Sequence, residues 1–264
     1  MGHILFSILF WLFVVVSSVV IFCGALVVWL VTFPFDKRGW VQHRYSCFWG
    51  SIYIWLNPFW KLETEGREKI DQSAVYIAVS NHQSMLDILV LHTLFFHFKW
   101  VSKKENLYMP FVGWNMMLNR YVIVDRASRK SLIKMMRDCL YHIEKGSSIM
   151  IFPEGSRSFD GKLRNFKDGA FRLALQTNSP ILPIVQDGTW RALKGKGLTV
   201  NGRTTIKVRV LDPIMPHEFG DTDPHRLGEK VRAVMESALN EMRQPPATEE
   251  RKQVLARKGG KPPG

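Results

Sequence analysis

The chain has 264 residues, 46% of them hydrophobic, and a formal net charge of +13. That length admits one sizeable core, and three cysteines in no motif (Cys23, Cys47, Cys139) speak against a disulfide framework. So basic a chain suits either nucleic acid or an anionic membrane with anionic substrates; a long apolar segment and the lack of any DNA- or RNA-binding motif favour the second.

Ile4 to Val31 is 28 residues without a charge. As a helix at about 1.5 Å per residue it reaches roughly 42 Å, longer than a bilayer core of about 30 Å. No Lys or Arg precedes Lys37, and Thr32-Phe33-Pro34-Phe35 is no cleavage site. A retained transmembrane anchor over residues 1–35 is therefore expected rather than a removed secretory signal. Lys37, Arg38 and Arg44 follow closely. The positive-inside rule then predicts a single-pass protein with everything after residue 35 on the cytoplasmic face.

Residues 36–61 hold Trp40, Trp49, Trp55 and Trp60 with Tyr45, Phe48, Tyr53 and Phe59. Such rings concentrate at headgroup depth, so an interfacial aromatic helix ending near Asn57-Pro58 is expected. A second span, or a helix packed on the following domain, stays open.

From 62 to 243 the composition is that of a globular α/β domain. Strand-like runs fall at 74–79, 121–124, 148–152, 181–185 and 205–211, and helical stretches at 84–96, 128–144, 167–177 and 224–243. This alternation predicts a mainly parallel sheet flanked by helices on both faces. Residues 186–204, with Gly188, Gly195, Gly197 and Gly202, read as loop and turn. Residues 244–264 read as a flexible tail whose Arg251, Lys252, Arg257, Lys258 and Lys261 outnumber Glu249 and Glu250, suited to anionic lipid.

The chemistry concentrates after the first of these strands, in Asn81-His82-Gln83-Ser84-Met85-Leu86-Asp87. With Ser84 as N-cap of the next helix, His82 lies in the turn between strand and helix, where open α/β sheets place their chemistry. Asp87 is close enough to fold back on the imidazole, and an imidazole oriented by a carboxylate is a general base near neutral pH. The same Ser84-x-x-Asp87 spacing also fits a capping box, worth about 1 kcal/mol and implying no catalysis.

A second constellation, Phe152-Pro153-Glu154-Gly155-Ser156-Arg157-Ser158, follows the strand at 148–152 and belongs on the same sheet edge. Gly155 allows close backbone approach to a ligand, and Arg157 offers a planar fork for a phosphate or carboxylate. An ordinary surface turn with a Glu154–Arg157 ion pair is the bland alternative, and it would contribute little. Arg126 follows the strand at 121–124, and Lys167 begins a helix near the same edge. Met109–Met117 would border an acyl chain or simply pack in the core. Competing motifs fail. No phosphate-binding Gly-x-x-x-x-Gly-Lys loop, Gly-x-Ser-x-Gly elbow or His-Glu-x-x-His pair occurs, and Asp221-Thr222-Asp223 is too short a metal-motif likeness to carry weight.

Taken together, residues 81–87 resemble the Asn-His-x-Ser-x-x-Asp block of the glycerolipid acyltransferases. Residues 152–158 resemble their Phe-Pro-Glu-Gly-Thr-Arg-Ser block, with Ser156 in place of the common Thr. Tyr121–Arg126 and Ile181-Leu182-Pro183-Ile184 are similar to the two remaining blocks, in the expected order. The branch that acylates 1-acyl-sn-glycerol-3-phosphate is nearest, on the small size, the amino-terminal segment and Lys167-x-Gly169-Ala170-Phe171. The resemblance implies transfer of an acyl chain from acyl-CoA or acyl-carrier protein to the sn-2 hydroxyl of lysophosphatidic acid, giving phosphatidic acid. It implies His82 and Asp87 as the catalytic pair. It assigns acceptor binding to Arg126, Glu154, Gly155, Ser156, Arg157 and Lys167. No metal or cofactor is called for, and the expected partners are membrane lipids, the lysolipid and the acyl donor. Another lysolipid acceptor, or a catalytically idle lipid-binding protein on the same fold, are the alternatives.

Overall fold

The structure is a computed structural model that describes residues 2–193, 199–220 and 222–244. Asp221 of the short acidic motif, part of the 186–204 connection and the tail beyond Gln244 lie outside the described residues.

Seven strands form one sheet in the order β1-β7-β6-β2-β5-β3-β4. They are β1 (Trp60–Glu65), β2 (Ile77–Ser80), β3 (Phe98–Lys103), β4 (Val122–Val124), β5 (Ser148–Ile151), β6 (Ile181–Asp187) and β7 (Thr204–Val210). All neighbours run parallel except β6 and β7. The mainly parallel sheet read from the sequence is thus present, with two strands the periodicity did not reveal. β1, Trp-Lys-Leu-Glu-Thr-Glu, is an edge strand, where charge is tolerated and discourages further pairing. β3 places Lys99 inside the sheet, fully buried, because its ammonium reaches the carbonyl of Asn119 at 2.8 Å. Neither reads as an apolar run.

Alternation along the central strands divides the core. Ile77 and Val79 point to one layer with Phe171, Leu173, Val231 and Leu239, on the side of α5 (Arg129–Glu144), α6 (Gly169–Thr177) and α8 (Pro224–Arg243). Ala78 points to the other layer, with Trp49, Leu91, Phe98 and Trp100, formed by α2 (Trp40–Trp55) and α3 (Leu86–His92). Truncating a fully buried ring such as Phe171 to Ala would cost about 3–5 kcal/mol.

Several helices differ from their sequence reading. α3 is only seven residues, because the chain turns at Phe95, which takes a left-handed φ of 54°. Its backbone N-cap position is Met85, whose own side chain makes no cap, while Ser84 Oγ accepts the Leu86 N–H at 3.4 Å, so Ser84 helps to close the first turn. The apolar stretch 109–117 runs into α4 (Val112–Leu118), where a Cβ on Gly113 would lie 2.1 Å from the Leu107 carbonyl oxygen. The connection after β6 opens with one helical turn, α7 (Thr189–Ala192).

The amino-terminal helix α1 (Gly2–Thr32) is long and apolar enough to cross a membrane, and Leu5, Ile8, Leu12, Val20, Val27 and Val31 face outward. Its inner face is fastened to the rest of the chain. Ser7 Oγ accepts the Val200 N–H at 2.9 Å, Tyr45 donates its hydroxyl to the Ile21 carbonyl at 2.9 Å, and Phe6 and Phe22 meet Phe59 and Trp114. α2 keeps exposed aromatics at Trp40, Phe48 and Trp55, yet its other side is buried in the domain. The reason is polar. Gln42 donates to Asn115, Ser46 exchanges hydrogen bonds with Asn115, and His43 bonds Tyr121 and the Phe96 carbonyl; lipid would supply none of these partners. With β1 beginning at Trp60, residues 36–61 belong to the same folded unit as the domain that follows.

Candidate active site

β2 and β5 are adjacent and parallel, with Val79 opposite Ile151, so the loops that leave them emerge side by side on one sheet edge. Between the ends of β2 and β6, Asn81 acts as a side-chain ladder rung: its Nδ2 donates to the Gln186 carbonyl and its Oδ1 accepts the Gln186 N–H, both at 2.8 Å. His82 is therefore presented from a pinned strand end.

Asp87, in the first turn of α3, is wholly buried and folds back toward it. Its Oδ2 accepts from His82 Nδ1 at 2.7 Å and from the N–H groups of Gln83 and Ser84 at 2.5 and 2.8 Å. The carboxylate thus does both things the spacing allowed: it closes the turn, and it holds the imidazole. An acceptor at Nδ1 selects the Nδ1–H tautomer, leaving the Nε2 lone pair outward on a side chain 16% exposed. Phe152 stacks on the imidazole face at 4.0 Å and 8°, backed by Trp100 at 5.2 Å.

Glu154 is placed differently from the expectation that it binds the acceptor. It is 4% exposed, and both oxygens are occupied: Oε1 accepts the His82 N–H at 2.8 Å and Oε2 the Arg164 N–H at 3.1 Å. Burial pushes its carboxyl up to about 7, outweighing those two donors, and the charge of Asp87 adds to the rise. Ser158 N–H also donates to the His82 carbonyl at 2.7 Å. The second loop thus braces the first through backbone contacts.

The remaining predicted residues gather around Gly155. Its φ of 70° favours glycine, and an added Cβ would lie 2.9 Å from Lys167 Cε, whose side chain crosses the loop. Arg126 donates to the Gly155 carbonyl. Arg157 sits over the Phe159 ring at 5.3 Å and makes no ion pair with Glu154. Ser156 is exposed and Lys167 donates its N–H to Pro153. Arg164, which sequence reasoning passed over, donates to the Arg157 carbonyl at 3.3 Å; with Arg157 and Lys167 it makes three cations on the loop after β5, which Arg126 reaches from the loop after β4. Phe152, Ser158 and Gln186 were also missed as site elements. Only the three-dimensional pairing of β2 with β5 and β6 brings them to His82. A base with its free nitrogen outward, beside cations that lack carboxylate partners among the described residues, can deprotonate a hydroxyl on an anionic molecule.

The acyltransferase family model matches residues 61–187, which contain every site residue named above. A 1-acyl-sn-glycerol-3-phosphate acyltransferase of Chlamydomonas reinhardtii is 33% identical over 239 residues, covering 88% of this chain and 69% of that protein. A chloroplastic protein of the same description from Arabidopsis thaliana is 35% identical over 184 residues, 69% of this chain and 50% of its own length. Among solved structures, the 1-acyl-sn-glycerophosphate acyltransferase PlsC of Thermotoga maritima superposes with a TM-score of 0.76 at 25% identity, covering 94% of this chain and 98% of that one. Motifs, fold and similarity agree, and the chain belongs to the acyltransferase family, among the 1-acyl-sn-glycerol-3-phosphate O-acyltransferases.

Proposed function

We propose that the protein transfers an acyl chain from a thioester donor to the sn-2 hydroxyl of 1-acyl-glycerol-3-phosphate, yielding phosphatidic acid. The observation that carries this is the 2.7 Å His82–Asp87 contact, which turns the free Nε2 outward beside the Gly155 loop and its cations. Nε2 removes the hydroxyl proton as the oxygen attacks the thioester carbonyl; the new C–O bond forms, the C–S bond breaks, and the imidazolium returns its proton to the departing thiolate. Asp87 holds the tautomer and stabilises the imidazolium. No enzyme nucleophile is needed, because the donor is already activated, and the scheme calls for neither metal nor cofactor.

Arg157, with Arg126, Lys167 and Arg164 nearby, supplies positive charge for the acceptor phosphate, while Glu154 acts as a brace for the His82 loop. Gly155 keeps backbone close to the ligand, and exposed Ser156 offers it a hydroxyl. Membrane association through α1 suits a lipid substrate, and the basic residues after α1 support a cytoplasmic catalytic face. The donor is acyl-CoA or acyl-carrier protein. Purified protein in detergent, assayed against a panel of lysolipids with both donors, tests the reading. Phosphatidic acid formation that disappears in His82→Ala is expected; turnover confined to another lysolipid, or none with any acceptor, would overturn it.

A further inference from the structure

Between Glu105 and Arg120 the chain carries no charge for fourteen residues, and much of this stretch lies on the surface. Tyr108 is 81% exposed, Met117 56%, Trp114 43% and Val112 41%. Apolar exposure this concentrated marks a contact surface. We infer that the segment Tyr108–Met117 enters the lipid bilayer beside α1 as a second membrane-contacting element.

The argument is one of attachment. The Phe22 ring of α1 lies 5.5 Å from Trp114 and 5.9 Å from Phe111. Arg120 lies over Phe33 at 5.7 Å and donates to the Lys37 carbonyl at 3.0 Å. Phe22 and Phe33 are eleven residues apart on the chain, roughly 16 Å of helix. The segment is therefore fastened to α1 at two separated levels, and a helix held in this way cannot enter lipid alone. Phe111 itself adopts φ 60° and ψ −48°, a strained γ-turn closed by Val112 N–H donating to the Pro110 carbonyl at 2.6 Å. Its packing against Phe22 and Trp114 fixes that turn, so the attachment is specific. Charge agrees with the depth. Charge flanks the apolar stretch on both sides, with Lys103 and Lys104, paired to Glu105 and Asp125, before it and Arg120 after it, so its ends stay at headgroup level while its middle is apolar.

This rests on the reading of α1 as the membrane helix, and the experiment separates the two. Cys47 and Cys139 are buried, so native Cys23, exposed on α1, takes a thiol-reactive environment-sensitive fluorophore. Tyr108→Cys and Tyr141→Cys, each in a Cys23→Ser background, take the same label; Tyr141 is 55% exposed on α5. The full-length proteins are reconstituted in vesicles of phosphatidylcholine and phosphatidylglycerol, and quenched either by nitroxide-bearing lipid or by aqueous iodide. Labels at 23 and 108 should be quenched by nitroxide lipid and shielded several-fold from iodide, with the reverse at 141. Lipid quenching at 23 with iodide quenching at 108 would overturn this inference and leave the anchor intact. Shielding at 108 from both quenchers would also overturn it, pointing to a protein contact, and iodide quenching at 23 would overturn the anchor itself.

Discussion

The two ends of α3 carry histidine chemistry of opposite kinds. At its first turn Asp87 grips His82, whose other nitrogen faces outward. At its last residue His92 joins His43 and His97 in a buried cluster around the start of β3, with ring centroids 5.4 to 5.8 Å from His43. There burial holds His92 down at about 4 and His97 at about 3, and it drives His43 well below the ordinary range, helped by the titratable groups of His92, His97 and Lys99 beside it. Lys99 beside them is pulled to about 7 by the same desolvation. The lesson is that a histidine becomes a base through a carboxylate on one nitrogen and open space at the other. Histidines in an enclosed site without that carboxylate stay neutral and serve as packing with polar tips.

The sharpest way to break this contrast is at the first end. His82→Ala should lower kcat by about 10²–10⁴-fold with the fold intact by circular dichroism. Asp87→Asn should cost a comparable factor in the folded fraction, because an amide cannot hold the Nδ1–H tautomer while accepting the two backbone N–H groups. If Asp87→Asn merely lowers Tm and keeps specific activity, the carboxylate only caps the turn.

The next effect concerns binding. A charge-assisted contact contributes about 1.5–3 kcal/mol, so Arg157→Ala should reduce kcat/KM for lysophosphatidic acid by roughly 10 to 150-fold. An uncharged monoacylglycerol, however slow, should lose far less. Equal fractional losses would move the phosphate to Arg126, Arg164 or Lys167.

Smaller effects test the second end and the brace. His43→Phe strands the Tyr121 hydroxyl and the Phe96 carbonyl, which should cost about 1–3 kcal/mol of stability while kcat/KM of the folded enzyme stays close to wild type. A large loss of turnover would mean the cluster takes part in chemistry. For Glu154 the folded pKa of about 7 lies above the usual carboxylate value, so the folded state binds the proton more tightly than the unfolded chain. Its ionisation penalty therefore grows as pH rises from about 4.5 through about 7, then levels off. The Tm of the wild type, measured against Glu154→Gln, should fall across that window. A flat difference would mean that the two N–H donors cancel the cost of burial.

The local geometry of the His82 turn is legible in the sequence. His82 and Asp87 are five residues apart on one turn, so local spacing suffices to bring them together. Arg157 is legible beside Gly155 in the motif itself, whereas Arg126 and Lys167 are legible only as cations near strand ends and not as neighbours of Gly155. The burial of Glu154 and its two backbone donors are not legible in the motif, where a carboxylate looks like a ligand contact. Arg164 left no signal at all, being one basic residue in a polar stretch.

What the sequence by itself determined is whatever short range governs: the apolar helix α1, the strand–turn–helix that holds His82, the βα alternation that makes a parallel sheet. Tertiary structure decided the rest. β1 and β3 are strands because neighbours accept them, β1 at an edge that tolerates charge and β3 around a lysine that finds the Asn119 carbonyl. α2 is built into the domain because Gln42, His43 and Ser46 find partners on α4 and the segments around it. Burial and polar satisfaction are properties of a place in the fold. A linear chain specifies its residues, but each residue's partners exist only once distant segments have packed.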